Sequence, residues 1–307
     1  MDSGTAAKPL FDRPLCSACG APMAPFLATR DYNRDMSSVV FRYSRCDRCG
    51  LVSLMNAPID LHRYYDSTYH AFPTSMADIE RRAEHEQFKI DLVQRFVSRG
   101  RLLEIGPSWG AFCLLAKRAG FEVEAIETDS RCREFLATRI GVRAIDGSGE
   151  AATLSQASVA DVIALWHVVE HLRDPWALIA RAAERLGPGG VLVVATPNPA
   201  ALQFRMLGRF WAHIDAPRHV HLLPPALLHD KVRALGLEKL LCTTTDAGSL
   251  ECNKFGWSQS LANFAATRAV KRALRLSGRI AARILAPMER RDGLGSAYTA
   301  VYRKPTQ

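Results

Sequence analysis

The segment from Leu102 to Gly110, with the sequence LLEIGPSWG, constrains the fold of this chain more than any other. An apolar run leads into a turn that contains Gly106 and Gly110. The apolar residues 111–119 then predict a helix, which Gly120 ends. A parallel strand that passes through a glycine-rich turn into a helix N-terminus is the way in which α/β sheets hold nucleotide-like ligands. The G-x-G-x-x-G spacing of dinucleotide sites is not found here, which disfavours a nicotinamide dehydrogenase.

Strands and helices alternate after this turn. Phe121 to Glu127 predicts the second strand, and its last residue lies 23 positions after Glu104. An acidic residue at about this distance binds ribose hydroxyls in nucleoside sites, so Glu127 is the candidate for that contact. The alternation predicts βαβ units and a parallel sheet. Further strands are predicted at 142–145, from 161, from 191 and at 296–304, and further helices at 131–140, from 174 and at 225–235.

The turn resembles motif I of the class I S-adenosylmethionine (SAM) methyltransferases, E/D-x-G-x-G-x-G, with Ser108 in place of the middle glycine. LWHVVEHL, GPGG and TPNP follow in the order of that family, so the resemblance covers about residues 95–245. It implies an α/β fold with a Rossmann-like seven-stranded sheet, whose last strand is antiparallel to its neighbour, and SAM as cofactor. The expected SAM-binding residues are Glu104, Gly106, Ser108, Gly110, Glu127, Ser148, Glu150, Trp166, Tyr65 and Tyr69.

Four of the eight cysteines form two C-x-x-C-G units that are separated by 26 residues. This repeat is typical of a zinc ribbon, in which four cysteines bind the metal tetrahedrally, and four unrelated buried cysteines would not explain it. A ribbon of this size buries little core, so we expect zinc to hold it folded and its core to be separate from that of the sheet. The predicted zinc ligands are Cys16, Cys19, Cys46 and Cys49; Cys113, Cys132, Cys242 and Cys252 are expected to be structural thiols.

A ribbon followed by a tyrosine-rich linker is similar to the front half of the deoxysugar C-methyltransferases. In that family the linker tyrosines approach the SAM and acceptor sites, which implies this role for Tyr65 and Tyr69. The chain ends soon after the predicted sheet, without room for that family's additional C-terminal domain, so a sugar acceptor is compatible but not implied. The expected divisions are a zinc-ribbon region at 1–60, a tyrosine-containing linker or helical cap at 61–94, and a SAM-dependent methyltransferase domain at 95–307 with a basic helical insertion at 260–288.

Methyl transfer to oxygen or to an acidic carbon needs a base, which contributes roughly 10²–10⁴-fold. Acceptors bind at the carboxyl ends of the strands, where His167, Glu170 and His171 are the catalytic candidates. In many family members the Glu-His pair only ties this loop to neighbouring backbone, so a structural role is the alternative. His219 is a second candidate base; it belongs to a PRHxHL-like element that we expect at the mouth of the acceptor pocket. Glu170 and His171 are adjacent and should point apart, so a metal is not expected there.

Positive charge is concentrated in one segment. The chain carries a formal charge of +9, and residues 261–291 contain eight basic residues against the single acid Glu289. Apolar residues on the complementary stripe predict an amphipathic helix at 260–288 beside the acceptor entrance. This helix is either a cap with a solvated basic face or an interfacial helix that contacts anionic lipid or a lipid-linked acceptor. The charge is not spread around an active-site mouth, so we expect no specific nucleic-acid partner.

No apolar run reaches the roughly 18 residues of a membrane span, and the N-terminus lacks the apolar stretch of a secretory signal. The expected location is therefore cytoplasmic, with peripheral membrane contact left open. The expected function is SAM-dependent methylation of a small-molecule acceptor, such as a sugar, a natural product or a cell-surface precursor, with O-methylation favoured over C- or N-methylation. The alternatives are an RNA or protein methyltransferase that uses the ribbon for recognition, and a non-catalytic SAM-binding protein. The oligomeric state stays open.

Overall fold

The computed structural model describes residues 13–66 and 69–306, except for the side chains of Glu150 and Ala151. The described strands form two sheets. The strands are β1 (Met23–Thr29), β2 (Phe41–Cys46), β3 (Val52–Leu54), β4 (Gly100–Ile105), β5 (Phe121–Glu127), β6 (Arg143–Asp146), β7 (Ala160–Trp166), β8 (Leu186–Pro197), β9 (His221–Leu222), β10 (Glu238–Thr243) and β11 (Ala297–Arg303). The α-helices are α1 (Met76–Glu84), α2 (Gln87–Gln94), α3 (Ala111–Arg118), α4 (Ser130–Phe135), α5 (Pro175–Arg185), α6 (Leu202–Leu207), α7 (Pro225–Ala234), α8 (Ala247–Ala262) and α9 (Arg268–Glu289).

The larger sheet has seven strands in the order β10-β11-β8-β7-β4-β5-β6. The five strands from β8 to β6 run parallel, whereas β11 is antiparallel to both of its neighbours. Residues 162–166 of β7 are all buried, because helices cover both faces of the sheet. The expected α/β fold, with its seven-stranded sheet and antiparallel last strand, is confirmed. The carboxyl ends of β4, β5, β7 and β8 meet at one edge, where the candidate site lies.

Two helices differ from the sequence-based expectation. The helix expected at 131–140 begins as α4 and continues as a π-helix over Leu136–Ile140. The helix expected at 260–288 is divided, because α8 ends at Ala262 and α9 begins at Arg268. Thr267 marks the new start: its side chain accepts the Val270 N–H, which satisfies one of the free donors at a helix N-terminus.

The smaller sheet joins the N-terminal region to a distant loop. Its strand order is β1-β2-β3-β9, so three strands come from the ribbon region and one from the segment before α7. β3 pairs antiparallel with β9, with Val52 opposite Leu222 and Ser53 opposite His221. The Ser53 hydroxyl lies 2.8 Å from His221 Nδ1. The ribbon and the PRHxHL-like element are therefore parts of one sheet.

The cysteine units share their apolar core with the larger sheet. Cys16, Met23 and Cys46 belong to the same buried cluster as Leu223 and Leu227. The expectation of a separate ribbon core is wrong, because β9 and α7 belong to the second half of the chain and bury their apolar residues against the ribbon. The division at residues 60 and 94 remains a proposal from the sequence. Among the described helices, none is both long and apolar enough to cross a membrane.

Arg218 is fully buried and connects the ribbon region to the loop before α7. Its Nη2 atom donates at 2.7 Å to Asp31 Oδ1 and at 2.7 Å to Asp215 Oδ1, and its Nε atom donates at 2.8 Å to Asp215 Oδ2. Burial favours the neutral form of Asp215, but the hydrogen bonds and the positive charge of Arg218 hold its pKa well below the usual range. The buried cation of Arg218 therefore compensates the buried carboxylate of Asp31 and the partly exposed carboxylate of Asp215.

We expect Arg218→Met to lower the free energy of unfolding by about 3–5 kcal/mol, because it leaves the carboxylates of Asp31 and Asp215 buried without their cation. Urea denaturation measures this loss. Arg181→Met is the matched control, since Arg181 forms an exposed pair with Glu184 and should change stability by less than about 1 kcal/mol. Equal stability of the two variants would contradict the bridging role of Arg218.

Candidate active site

The glycine-rich turn after β4 has the backbone that its sequence predicts. Gly106 and Gly110 have φ values of 70° and 91°, and Ser108 also has a positive φ of 56°. A Cβ atom on Gly106 would lie 2.8 Å from Val168 Cγ2, so this position needs glycine. Two contacts hold Ser108 in its left-handed conformation: its N–H donates to Glu127 Oε2 at 3.0 Å, and its hydroxyl lies 2.8 Å from His70 Nδ1.

Glu127 ends β5 and is buried beside this turn. Its Oε1 atom accepts the backbone N–H groups of Thr128 at 2.7 Å and Asp129 at 2.9 Å, while Oε2 accepts that of Ser108. The carboxylate thus binds the ends of β4 and β5 together, a role that the expected ribose contact did not include. Glu127 and the three turn residues form the part of the predicted SAM site that the structure brings together.

Glu104 points into the core behind the turn. Its Oε2 atom accepts the Cys113 thiol of α3 at 2.9 Å. Burial raises the pKa of Glu104 from 4.5 to about 7, although the charge of Lys89 and the Cys113 hydrogen bond oppose this shift. The structure therefore places Glu104 between β4 and α3, where it contacts the protein core.

The remaining predicted SAM residues lie in different places. Ser148 is exposed, and its N–H donates to Asp146 Oδ1 at 3.0 Å. The side chain of Glu150 lies outside the described part of the chain. Trp166 is buried, with its ring centroid 5.6 Å from that of Phe112. Tyr65 and Tyr69 have ring centroids 4.7 Å apart, and the Tyr65 hydroxyl lies 2.9 Å from His171 Nδ1. These two tyrosines therefore belong to the histidine cluster.

His171 and His219 form the centre of this cluster, with ring centroids 4.6 Å apart. His171 Nδ1 lies 3.1 Å from the Arg218 carbonyl oxygen, and His219 Nδ1 lies 2.8 Å from the His213 carbonyl oxygen. A carbonyl oxygen only accepts, so Nδ1 of each ring carries the proton and Nε2 of each holds the lone pair. Both imidazoles are thus oriented as potential bases.

Both of these histidines are neutral at pH 7. Burial lowers the pKa of His171 below its ordinary value of 6.5, although the charges of Glu170 and Asp215 oppose the shift. Burial and the neighbouring His171 lower the pKa of His219 to about 4. The expected place of His219 at the pocket mouth is wrong, because its side chain is buried against the loop that Arg218 anchors. His171 is the more accessible of the two.

His167 carries the opposite charge state. Its Nδ1 atom lies 3.2 Å from Glu170 Oε1, and the other Glu170 oxygen accepts the Thr196 hydroxyl at 2.9 Å. Burial alone would lower the pKa of His167, but Cys252 and Glu170 raise it to about 10. Burial alone would raise the pKa of Glu170, but His167 lowers it to about 2. The pair is therefore a partly exposed imidazolium and a fully buried carboxylate.

Cys252 is the residue of this cluster that sequence reasoning missed. Its sulfur lies 3.8 Å from His167 Nε2, and its carbonyl oxygen lies 2.9 Å from His213 Nε2. The sequence predicted only a structural thiol, because Cys252 lies 85 positions after His167 and no local pattern connects them. The position of Cys252 on α8 places its thiol within the candidate site.

Adjacent Glu170 and His171 were expected to diverge, but the structure brings potential ligand atoms of both, with one of His219, to within 4.8 Å of one another. The 3-10 helix at Val169–His171 is tighter than an α-helix and allows this convergence. We assign no metal to this group, because both Glu170 oxygens already have protein partners in His167 and Thr196.

The four N-terminal cysteines converge on one point. The sulfurs of Cys16 and Cys49 are 3.5 Å apart, as are those of Cys19 and Cys46, and all four lie within 4.8 Å of one another. A zinc–sulfur distance of about 2.3 Å in a tetrahedron separates the sulfurs by about 3.8 Å. The donor set and its spacing therefore fit Zn²⁺, and the sulfurs are too far apart for disulfide bonds.

Comparisons with known proteins agree with this fold. A family model for a methyltransferase domain matches residues 79–241, and the chain belongs to this family. A ubiquinone biosynthesis O-methyltransferase of Cereibacter sphaeroides is 30% identical over 173 residues, which cover 52% of this chain and 67% of that protein. One of Caulobacter sp. is 30% identical over 141 residues, which cover 44% of this chain and 56% of that protein.

Two solved structures share the fold. A putative sarcosine dimethylglycine methyltransferase from Galdieria sulphuraria has a TM-score of 0.51 at 13% identity and covers 80% of this chain and 97% of its own. Phosphoethanolamine N-methyltransferase 2 of Haemonchus contortus, in complex with SAM, has a TM-score of 0.50 at 14% identity and covers 81% of this chain and 60% of its own. The protein is a class I SAM-dependent methyltransferase.

We expect Glu127→Ala to weaken SAM binding by about 1–3 kcal/mol, roughly 5–150-fold in Kd, because it removes both the predicted ribose acceptor and the acceptor that shapes the turn. Titration calorimetry measures the change. Glu122→Ala on the same strand is the control, since Glu122 forms an exposed pair with Arg101. An unchanged affinity for SAM in Glu127→Ala would show that the site is assigned to the wrong residues.

The raised pKa of Glu104 predicts that the folded state loses stability as pH rises from 4.5 to about 7. Below 4.5 the folded and unfolded states are both protonated, whereas at higher pH the unfolded chain releases the proton first. Glu104→Gln should therefore match wild type at low pH and exceed its free energy of unfolding by about 3 kcal/mol above about pH 7. Urea denaturation at the two pH values tests this. A pH-independent difference would disprove it.

Proposed function

We propose that this protein methylates a hydroxyl group of a small-molecule acceptor. The observation that carries the proposal is the pair of neutral imidazoles, His171 and His219, whose Nδ1 protons face backbone carbonyls. Such rings accept a proton at Nε2, which an oxygen acceptor must lose during the transfer. The names of the two bacterial relatives, both O-methyltransferases, support oxygen as the acceptor atom.

The protein's own contribution is alignment and proton removal. Bound SAM supplies an activated methyl group on a sulfonium, so the chain must hold the acceptor in line with it. We assign the base to His171 because it is more accessible than His219 and lies at the carboxyl end of β7. The Tyr65 hydroxyl and the Arg218 carbonyl fix the ring from its Nδ1 side. His219 then packs edge-on against His171 and excludes water from one side of it.

We place the remaining candidates as follows. Glu127 and the turn from Gly106 to Gly110 hold SAM. Glu170 and His167 supply a fixed charge pair behind the base. Tyr65 and Tyr69 border the acceptor. The acceptor belongs to the sugars, natural products or cell-surface precursors that a cytoplasmic enzyme meets. Peripheral contact with a membrane, or a lipid-linked acceptor, is part of the same proposal for the segment 260–288.

We also propose that Cys16, Cys19, Cys46 and Cys49 bind one structural Zn²⁺. The two units have equivalent turns, in which Gly20 N–H donates to the Cys16 carbonyl at 2.8 Å and Gly50 N–H donates to the Cys46 carbonyl at 3.0 Å. Both glycines have positive φ, at 71° and 72°, as these turns require. Because the ribbon shares its core with β8 and α7, the metal stabilises the whole protein.

We expect His171→Gln to lower kcat by roughly 10²–10⁴-fold with little effect on the Kd of SAM. In the wild type, kcat/KM should fall with decreasing pH only below 6.5, because the pKa of His171 is lowered and its neutral form persists. Release of S-adenosylhomocysteine from a panel of sugars, phenols and amino acids measures turnover. His62→Gln, at an exposed position, is the control.

A loss of turnover in His219→Gln but not in His171→Gln would transfer the base role to His219. If neither variant slows the reaction, the acceptor is methylated without a protein base. The proposal that the acceptor is a neutral hydroxyl group, which must lose its proton to a histidine, then fails.

Freshly purified protein should contain one zinc per chain. Cys46→Ser should lose the metal and lower Tm in a single transition, because Cys46 is part of the shared core. Cys242→Ser, which alters a partly buried cysteine outside the four-sulfur group, should keep its zinc. Elemental analysis and calorimetry provide the readouts. Zinc-free wild type would refute the site.

A further inference from the structure

α9 is attached to the rest of the protein by a narrow stripe of small residues. Gly278 and Ala282 are buried. A Cβ atom on Gly278 would lie 2.5 Å from the Trp257 carbonyl oxygen and 2.5 Å from Ser258 Cα, so α9 and α8 pack with their backbones close together. The helix has 22 residues and is about 33 Å long. Outside this stripe most residues of α9 are exposed.

Four large apolar side chains of α9 are exposed on one face. Leu276, Ile280, Ile284 and Met288 follow one another at intervals of four, which places them on one face of the helix. Their exposed fractions are 60%, 52%, 69% and 41%. A cap helix on a solvated surface would bury this face, so the structure disfavours the solvated-cap alternative. Contiguous exposed apolar surface of this kind marks an interaction site.

Arginines border the apolar face. Arg272 lies four residues before Leu276, and Arg283 lies three residues after Ile280, so both pairs are neighbours on the helix surface. Arg275 and Arg279 continue the exposed basic face. The only acid in α9 is Glu289, which is buried. The exposed surface of α9 thus combines apolar residues with cations and presents no anion.

We propose that α9 docks on an anionic phospholipid surface, with Leu276, Ile280, Ile284 and Met288 in the acyl boundary and the arginines on lipid phosphates. The positive charge of the arginines favours an anionic lipid surface over a second copy of the chain as the binding partner of α9. Two copies that packed these apolar faces together would bring their arginine rows close to each other, whereas anionic head groups neutralise them. Arginine side chains bury their stems and extend the guanidinium toward phosphates, which suits this arrangement.

Docking would place the candidate active site close to the lipid. α8 separates the two, because it packs against α9 on one side and holds Cys252 within 3.8 Å of His167 Nε2 on the other. Helix axes pack about 8–10 Å apart, so one helix layer lies between the lipid surface and the histidine cluster. Resting on the proposed function, this geometry favours an amphiphilic or lipid-linked acceptor.

Co-sedimentation of the full-length protein with vesicles tests the proposal. Wild type should bind vesicles of phosphatidylglycerol and phosphatidylcholine at about 0.05 M NaCl, bind pure phosphatidylcholine at least about tenfold more weakly, and dissociate at about 0.5 M NaCl. Arg272→Gln/Arg275→Gln/Arg279→Gln/Arg283→Gln and Ile280→Ser/Ile284→Ser should each weaken binding at least about tenfold. Ile59→Ser/Arg139→Gln, which alters exposed residues elsewhere, should bind like wild type.

Failure of wild type to bind anionic vesicles, or full binding by either α9 variant, would overturn the proposal. So would a change from dimer to monomer in Ile280→Ser/Ile284→Ser without vesicle binding by wild type, because the face would then be an interface between copies. SAM affinity and turnover on a soluble acceptor are measured on the same variants without vesicles. Loss of methyl transfer is therefore recorded separately from loss of docking.

Discussion

The buried guanidinium of Arg218 is the interaction on which the arrangement of the site depends. A cation without solvent is stable only where anions replace water, and Asp31 and Asp215 supply them from opposite halves of the chain. The backbone carbonyl of the same residue accepts the Nδ1 proton of His171. The ion pair that joins the ribbon to the methyltransferase half therefore also determines which nitrogen of His171 keeps its lone pair.

The ribbon consequently supports the candidate active site. The Tyr43 hydroxyl, from β2, donates to the His219 carbonyl at 2.7 Å, and β3 pairs with β9 two residues further on. Any disorder in the ribbon would release the loop that holds both imidazoles. The Zn²⁺ ion that we propose for the four cysteines would stabilise the geometry of the candidate site without contacting the acceptor.

Local patterns were sufficient for the sheet and its glycine-rich turn, because strand, turn and helix signals lie within about ten residues of one another and each favours the same structure. They also grouped the four N-terminal cysteines as one predicted set of metal ligands, because four unrelated cysteines would not explain the repeated C-x-x-C-G unit. They could not predict the Asp31–Arg218 contact, which joins residues 187 positions apart, or the approach of Cys252 to His167. The shared core escaped prediction for the same reason: β9 has only two residues and no strand pattern of its own.

Charge distribution divides the histidines of the site into two kinds. Glu170 is buried with no water to solvate it, so its carboxylate requires a cation, and His167 is that cation. Once His167 is charged, a second positive charge nearby is unfavourable, and this repulsion adds to burial in lowering the pKa of His171. His171 in turn lowers the pKa of His219. Glu170 and Cys252 therefore keep one imidazole charged, burial keeps the other two neutral, and a base near neutral pH must be neutral before it can accept a proton.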